Sequence, residues 1–334
     1  MSERRYDPTT GEWVTFSTSR QDRTYKPPAE VCPLCPTRPG GAPTEVPRSA
    51  YQVVVFENRF PALTPDPPPP AIDGTELVPV EPAYGHCEVV CFTDEHEQSL
   101  ASVGVERLRL LIEVWADRWE QLAADPEVGY VLPFENKGDV IGVTLAHPHG
   151  QIYAYPDVPP RPGRELAAAR AHYARAGRCV FCDVVAHERQ DGRRVVVEGA
   201  HVLAGVPPWA RWPYEVDLWT RRHVTCLPEL DPDERQDLAA VLARVLAGYD
   251  AFFGFPTSYI LGIHSRPTPG ASQVGDEDRV SHLHLEIAPP HRSRDKLKYL
   301  AGSETSGGAF LTDVAPEAAA GQLREAAAVV AVPR

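Results

Sequence analysis

The residues best suited to chemistry lie in Ala146-His-Pro-His-Gly-Gln-Ile-Tyr153. In an extended strand, alternate side chains share a face, so His147, His149 and Gln151 point the same way. An imidazole so placed can attack phosphorus in line and carry a phosphoryl group covalently. That requires a neutral ring with Nε2 free, and therefore a fixed acceptor, such as a backbone carbonyl, for the Nδ1 proton. Gln151 can donate its amide to a phosphate oxygen without acting as an acid. Gly150, beside the central histidine, would let a phosphate approach closely. Phe134-Glu-Asn-Lys-Gly138 and Gly142-Val-Thr144 stand upstream. The plainer alternative is a strand with two hydrogen-bonded histidines. Gln151 on the same face, with the upstream Asn and glycines, favours the reactive reading.

A second chemistry belongs to the cysteines. Two pairs, Cys32-Pro-Leu-Cys35 and Cys179-Val-Phe-Cys182, each put two sulfurs on one turn, half of a tetrahedral zinc site. Zinc then needs two histidines from farther along the chain. His96 and His147 are candidates for the first pair, His223 and His282 for the second. A redox dithiol is the alternative, but it calls for a strand before the pair and a helix after it. Pro33 and Pro36 around the first pair suit a metal knuckle better. Cys87, Cys91 and Cys226 read as buried small apolar residues.

These residues occur in a repeated order: Cys-x-x-Cys, a strand-rich stretch, a lone histidine, an amphipathic helix, then His-x-His. The first round ends in His147-Pro-His149 and the second in His282-Leu-His284. The chain is therefore expected to be a duplicated α+β unit, with halves at 1–157 and 165–334. Apolar residues three or four apart predict helices over about 105–124 and 232–253, and an Ala-rich helix over about 316–330. For the second, Asp231, Pro232 and Glu234 are an N-cap, a first-turn proline and a capping-box partner. Strands are expected at 51–56, 88–92, 195–198, 216–219 and 282–287. Pro61 to Pro82 reads as an exposed loop, and Val158-Pro-Pro-Arg-Pro-Gly163 as a break between halves.

Composition narrows the class. The chain has 334 residues and a formal net charge of −13, which argues against a nucleic-acid coat or a membrane-surface protein, since these carry a basic face. A small phosphorylated substrate needs only a local cluster of donors and is not excluded. No apolar run is long enough for a membrane helix, and Met1-Ser-Glu-Arg-Arg5 lacks the apolar region of a signal peptide. A cytoplasmic protein with reduced cysteines is expected.

Arg5-Tyr-Asp-Pro-Thr-Thr-Gly-Glu-Trp-Val14, Phe134-Glu-Asn-Lys-Gly138 and His147-Pro-His-Gly-Gln151 resemble the galactose-1-phosphate uridylyltransferase family of the histidine-triad superfamily. Val206-Pro-Pro-Trp-Ala-Arg-Trp-Pro213 and Lys298-Tyr-Leu-Ala-Gly-Ser-Glu304 extend the resemblance into the second half. It implies two histidine-triad-like units, each an antiparallel sheet flanked by helices, joined into one extended sheet. It also implies a ping-pong exchange of UDP-glucose and galactose 1-phosphate for glucose 1-phosphate and UDP-galactose, through a uridylyl group on His149. Hydrolytic relatives carry a third histidine at the position of Gln151. By the same resemblance Arg20 and Arg23 meet phosphates, and Asn58 and Asn136 lie near the nucleoside. Lys298 and Glu304 belong to a sugar-phosphate segment supplied by the partner subunit of a homodimer, and the bound metals are structural. The better-known members have Tyr, Gln and Cys-Ser where Ser303, Phe310 and Val143-Thr144 align here.

The resemblance leaves two ligand sets competing for a second metal. The duplicated order gives Cys179, Cys182, His223 and His282. Position-by-position similarity gives Glu165, His264, His282 and His284. Thiolates should win a borderline-soft ion from a carboxylate, so the first set is expected. His284 is then the counterpart of His149, with Glu286 where the first half has Gln151, and a carboxylate there would repel a phosphate. Other readings of the resemblance are a nucleoside-diphosphate-sugar phosphorylase and a nucleotide-binding protein without turnover.

Overall fold

The computed structural model describes residues 2–22, 26–271 and 275–333. In the first half the strands are β1 (Ser2–Asp7), β2 (Glu12–Ser17), β3 (Val54–Glu57), β4 (Val80–Pro82), β5 (His86–Cys91), β6 (Tyr130–Lys137) and β7 (His149–Tyr155), with helix α1 (Val105–Ala123) between β5 and β6. Helices α2 (Pro160–Ala176) and α3 (Val180–Asp191) follow. Then come β8 (Val195–Glu198), β9 (Val202–Gly205), β10 (Val216–Thr220), helix α4 (Pro232–Phe253), β11 (Tyr259–His264), the short α5 (Glu277–Val280) and β12 (His284–Ala288). The chain closes with β13 (His291–Ser293), β14 (Lys296–Leu297), α6 (Gly302–Gly307) and α7 (Pro316–Val329).

Nine strands form one antiparallel sheet in the order β3-β5-β7-β6-β11-β12-β10-β9-β8. The two halves meet at its centre, where β6 pairs with β11 and Phe134 faces Gly262 across the seam. Equivalent strands lie at mirrored distances from that seam. His149 is paired with Cys91 and Gln151 with Val89. In the second half His284 is paired with Trp219 and Glu286 with Asp217.

The pleat sorts side chains between two layers. On β5, Val90 joins the main core with Leu108, Leu111, Ile112 and Trp115 of α1. Its neighbours Val89 and Cys91 pack on the opposite side with Cys32, Leu34 and Phe56. α4 buries Leu238, Leu242, Val245 and Tyr249 in the same core as α1. Its expected capping box is present: the Asp231 carboxylate accepts from Glu234 N at 2.8 Å, and Glu234 accepts from Asp231 N at 3.0 Å. Such a cap contributes about 1 kcal/mol. α7 docks on α4 through small residues; a Cβ on Gly248 would stand 3.2 Å from that of Ala327.

Three expectations need correcting. The 158–163 segment is not a break, because α2 starts at Pro160, and prolines in a first turn lose no intrahelical hydrogen bond. Cys179 is the N-cap of α3 and Cys182 lies in its first turn, so a helix, not a strand, follows the second pair. The Pro-rich loop ends in β4, which pairs with β1. Among the described residues no helix is long and apolar enough to cross a membrane.

Candidate active site and metal centres

β7 presents His149 and Gln151 to a cavity on the sheet face opposite α1. Pro33, Leu34, Phe56, Val89 and Leu145 make its apolar wall, and Asn58 and Arg59 stand on its polar side. The His149 Nδ1–H donates to the carbonyl of His147 at 2.8 Å. A carbonyl only accepts, so Nδ1 carries the proton and Nε2 keeps its lone pair. Burial lowers the His149 pKa, which favours the neutral ring. These are the two conditions a nitrogen nucleophile needs. Gly150 points the other way. A Cβ there would lie 2.7 Å from the Phe134 carbonyl oxygen and 2.9 Å from the Phe92 ring. The glycine is thus required by packing behind the strand, not by approach of a phosphate.

The Asn58 amide donates to Gln151 Oε1 at 3.3 Å, 93 residues away in sequence. Arg20, in a short helical turn after β2, donates from Nη1 to the Tyr153 hydroxyl at 2.9 Å. Tyr153 shares the face of His149 and Gln151, and its ring meets Phe134 edge-on at 5.0 Å. Alternation along β7 was the signal that could have found it. Asn136 sits on β6 opposite Ile260 and is not among the residues lining the His149 cavity. Arg23 lies outside the described residues. Lys298 and Glu304 meet each other at 3.1 Å, and Lys298 also donates to the Leu311 carbonyl. They form part of a C-terminal excursion and do not line the cavity of their own chain.

The structure brings together both expected Cys/His sets. Cys32, Cys35, His96 and His147 hold four donor atoms within 4.8 Å of one another, and so do Cys179, Cys182, His223 and His282. The His147 Nε2–H donates to the Thr93 carbonyl at 2.9 Å and lies 2.8 Å from the Tyr51 hydroxyl oxygen. This turns Nδ1 toward Cys35 Sγ at 3.5 Å. The His282 Nε2–H donates to the Thr220 carbonyl at 2.8 Å, turning Nδ1 toward Cys182 Sγ at 3.6 Å. His96 and His223 offer Nδ1 at 3.3 and 3.4 Å from Cys35 and Cys182. Outer hydrogen bonds of this kind fix the ligating tautomer. Burial pushes the Cys35 thiol up to about 12 and the His147 imidazole down to about 4. A divalent cation would convert such thiols to thiolates. The donor sets therefore fit a tetrahedral, borderline-soft ion.

His282 belongs geometrically to the cysteines. Glu165, His264 and His284 form a separate group beside it. Here the second half departs from the first. The His284 Nδ1–H donates to the His282 carbonyl at 2.8 Å, just as His149 does to His147. But Phe181 of α3 stacks on the His284 ring at 4.5 Å and His264 stacks at 4.7 Å. Glu286 pairs with Arg161 and with His264. Burial opposes the charge on His264, yet Glu286 and Glu165 hold its pKa up at about 9. The counterpart of His149 is thus roofed over and set among carboxylates.

Comparison with known proteins agrees along the whole chain. Residues 1–159 match the N-terminal domain model of galactose-1-phosphate uridyl transferase, and residues 165–332 match the C-terminal domain model. The Thermotoga maritima galactose-1-phosphate uridylyltransferase is 40% identical over 97% of this chain and 98% of its own. The Streptomyces lividans enzyme of that name is 40% identical over 98% of this chain and 88% of its own. A solved uridylyltransferase superposes with a TM-score of 0.85 at 33% identity, covering 98% of each chain.

Proposed function

This chain belongs to the galactose-1-phosphate uridylyltransferase family, and on that premise we propose that it moves a uridylyl group between UDP-glucose and galactose 1-phosphate through His149. In the first step Nε2 attacks the α-phosphorus and a P–N bond forms. The bond from that phosphorus to the bridging oxygen breaks, and its electrons leave with glucose 1-phosphate. In the second step a phosphate oxygen of galactose 1-phosphate attacks the same phosphorus, the P–N bond breaks and UDP-galactose leaves. The imidazole keeps its Nδ1 proton throughout, and Nε2 regains its lone pair only when the P–N bond breaks in the second step. The observation that carries this reading is the single proton of a half-buried His149, held on Nδ1 by the His147 carbonyl, with desolvation favouring the neutral ring. Gln151 steadies the phosphate oxygens without offering a proton to a leaving group or to water. The apolar slot of Phe56, Val89 and Leu145 suits a uracil ring, and Arg20 and Arg23 are assigned to phosphates.

Zinc is assigned to the two Cys/His sets as a structural ion that takes no part in the transfer. The halves 1–157 and 165–334 are read as a catalytic and a silent copy of one unit. The sugar phosphate is assigned to Lys298 and Glu304 of a second copy in a homodimer. Supporting this, the same segment leaves Tyr299 70%, Leu300 50% and Leu311 67% exposed. Seven unpaired cysteines suit a reducing, cytoplasmic setting. The test is product analysis with UDP-glucose and one acceptor at a time. Galactose 1-phosphate should give UDP-galactose and glucose 1-phosphate. UDP formed with inorganic phosphate as sole acceptor, and no product with galactose 1-phosphate, would make the protein a phosphorylase instead.

A further inference from the structure

We infer that Asn58 is the positioning residue that sets which end of the Gln151 amide meets the substrate phosphate. The inference rests on the uridylyl transfer proposed above and adds a polarity to it. The argument starts from a group whose polarity cannot change. The Phe60 backbone N–H can only donate, and Asn58 Oδ1 accepts from it at 2.9 Å. That settles the Asn58 amide, so its Nδ2 faces outward as a donor. Nδ2 reaches Gln151 Oε1 at 3.3 Å, which settles the second amide in turn. The Gln151 NH2 is left to face away from Asn58, in the cavity that both residues line with His149. Phosphate oxygens only accept, so this orientation attracts them and the reverse would repel them.

Asn58 itself is well held. Its backbone N–H donates to the Cys87 carbonyl at 2.8 Å, tying it to β5 beside the Val89–Gln151 register pair. His149 obeys the same logic with the opposite sign, since its tautomer is fixed by a carbonyl that can only accept. Two backbone groups thus define the electrostatics of both active side chains before substrate arrives. This is preorganisation in the sense that matters for catalysis. The second half has no such arrangement. Glu286 stands where Gln151 would be, and a carboxylate has no donor end to orient.

The test is a double-mutant cycle on Asn58→Asp and Gln151→Ala. An aspartate at 58 has nearly the same shape and can still accept from Phe60 N–H. It presents only an acceptor to Gln151, so the amide turns and aims Oε1 at the phosphate. The expected result is a fall in kcat for UDP-glucose on the order of 10- to 100-fold, larger than any change in KM. Asn58→Ala, which frees the amide to adopt either orientation, should lose less than Asn58→Asp. In the Gln151→Ala background, Asn58→Asp should change little. Additive losses in the cycle would overturn the inference, since Asn58 would then act on the substrate directly. Unchanged kcat in Asn58→Asp would overturn it as well. A wild-type protein without exchange activity would sink the proposed transfer instead. The same cycle is then read from UMP binding by calorimetry, where non-additive losses sustain the inference and additive ones overturn it.

Discussion

Replacing Cys182 with alanine should remove one metal ion and loosen the second half without touching the His149 cavity. The assigned ion joins three separate elements: α3 through Cys179 and Cys182, the turn after β10 through His223, and the approach to β12 through His282. His223 lies 41 positions from Cys182 and His282 lies 100. Closing loops of these lengths in the unfolded chain is worth about 4 kcal/mol for the shorter link alone. For a half of this size, 4 kcal/mol corresponds to a fall in Tm of roughly 8–16 °C. The assay is metal content by mass spectrometry together with calorimetric melting of wild type, Cys182→Ala and Glu165→Ala. Wild type should hold two zinc ions per chain, Cys182→Ala one, and Glu165→Ala two. The structural reason for the last result is that His282 turns its Nδ1 to the cysteines and away from the Glu165–His264–His284 group. Loss of a metal in Glu165→Ala with retention in Cys182→Ala would refute the assignment.

Three further outcomes follow from the geometry. Gln151→His should raise release of glucose 1-phosphate in the absence of acceptor, because an imidazole can exchange protons where an amide cannot; an unchanged ratio of hydrolysis to transfer would show that something else protects the intermediate. Lys298→Ala should weaken use of galactose 1-phosphate more than formation of the uridylyl enzyme, and mixed dimers of Lys298→Ala and His149→Ala chains should recover activity at one site. No recovery would mean that each site is built from one chain. Glu135, buried beneath the central seam and bonded by the Tyr259 hydroxyl at 2.8 Å, has its pKa pushed up to about 7 by burial. A raised carboxyl pKa means that the folded state holds the proton, so its contribution is full below pH about 4.5 and is lost as pH rises through 7. Glu135→Gln should therefore match wild type near pH 4.5 and exceed it at pH 8 by on the order of 3 kcal/mol in urea denaturation, and equal curves at pH 8 would contradict the assignment.

Helices with local signals were legible in the sequence. α4 begins at Pro232 because Asp231, Pro232 and Glu234 form a complete cap within four residues. α2 was not legible, since Pro159, Pro160, Pro162 and Gly163 together read as a break as readily as a first turn. Repetition disclosed both Cys/His sets, because their order along the chain is itself the pattern. The seam between β6 and β11 has no local signature, and joins residues more than 120 positions apart. The same holds for the link from Asn58 to Gln151. The pleat disclosed which residues share the face of His149, but not what anchors them. Gly150 shows the limit most plainly: its type was noticed, but its reason lies in Phe92 and Phe134 packed behind the strand.

The central claim is that His149 carries the uridylyl group between half-reactions. The direct measurement is intact mass spectrometry of the protein mixed with UDP-glucose alone, followed by peptide mapping under basic conditions, where a phosphoramidate survives. The account predicts a gain of one uridylyl group on the peptide containing His149, lost on adding galactose 1-phosphate and absent in His149→Ala. An unmodified wild-type chain that still catalyses exchange, or an adduct on another residue, would contradict it.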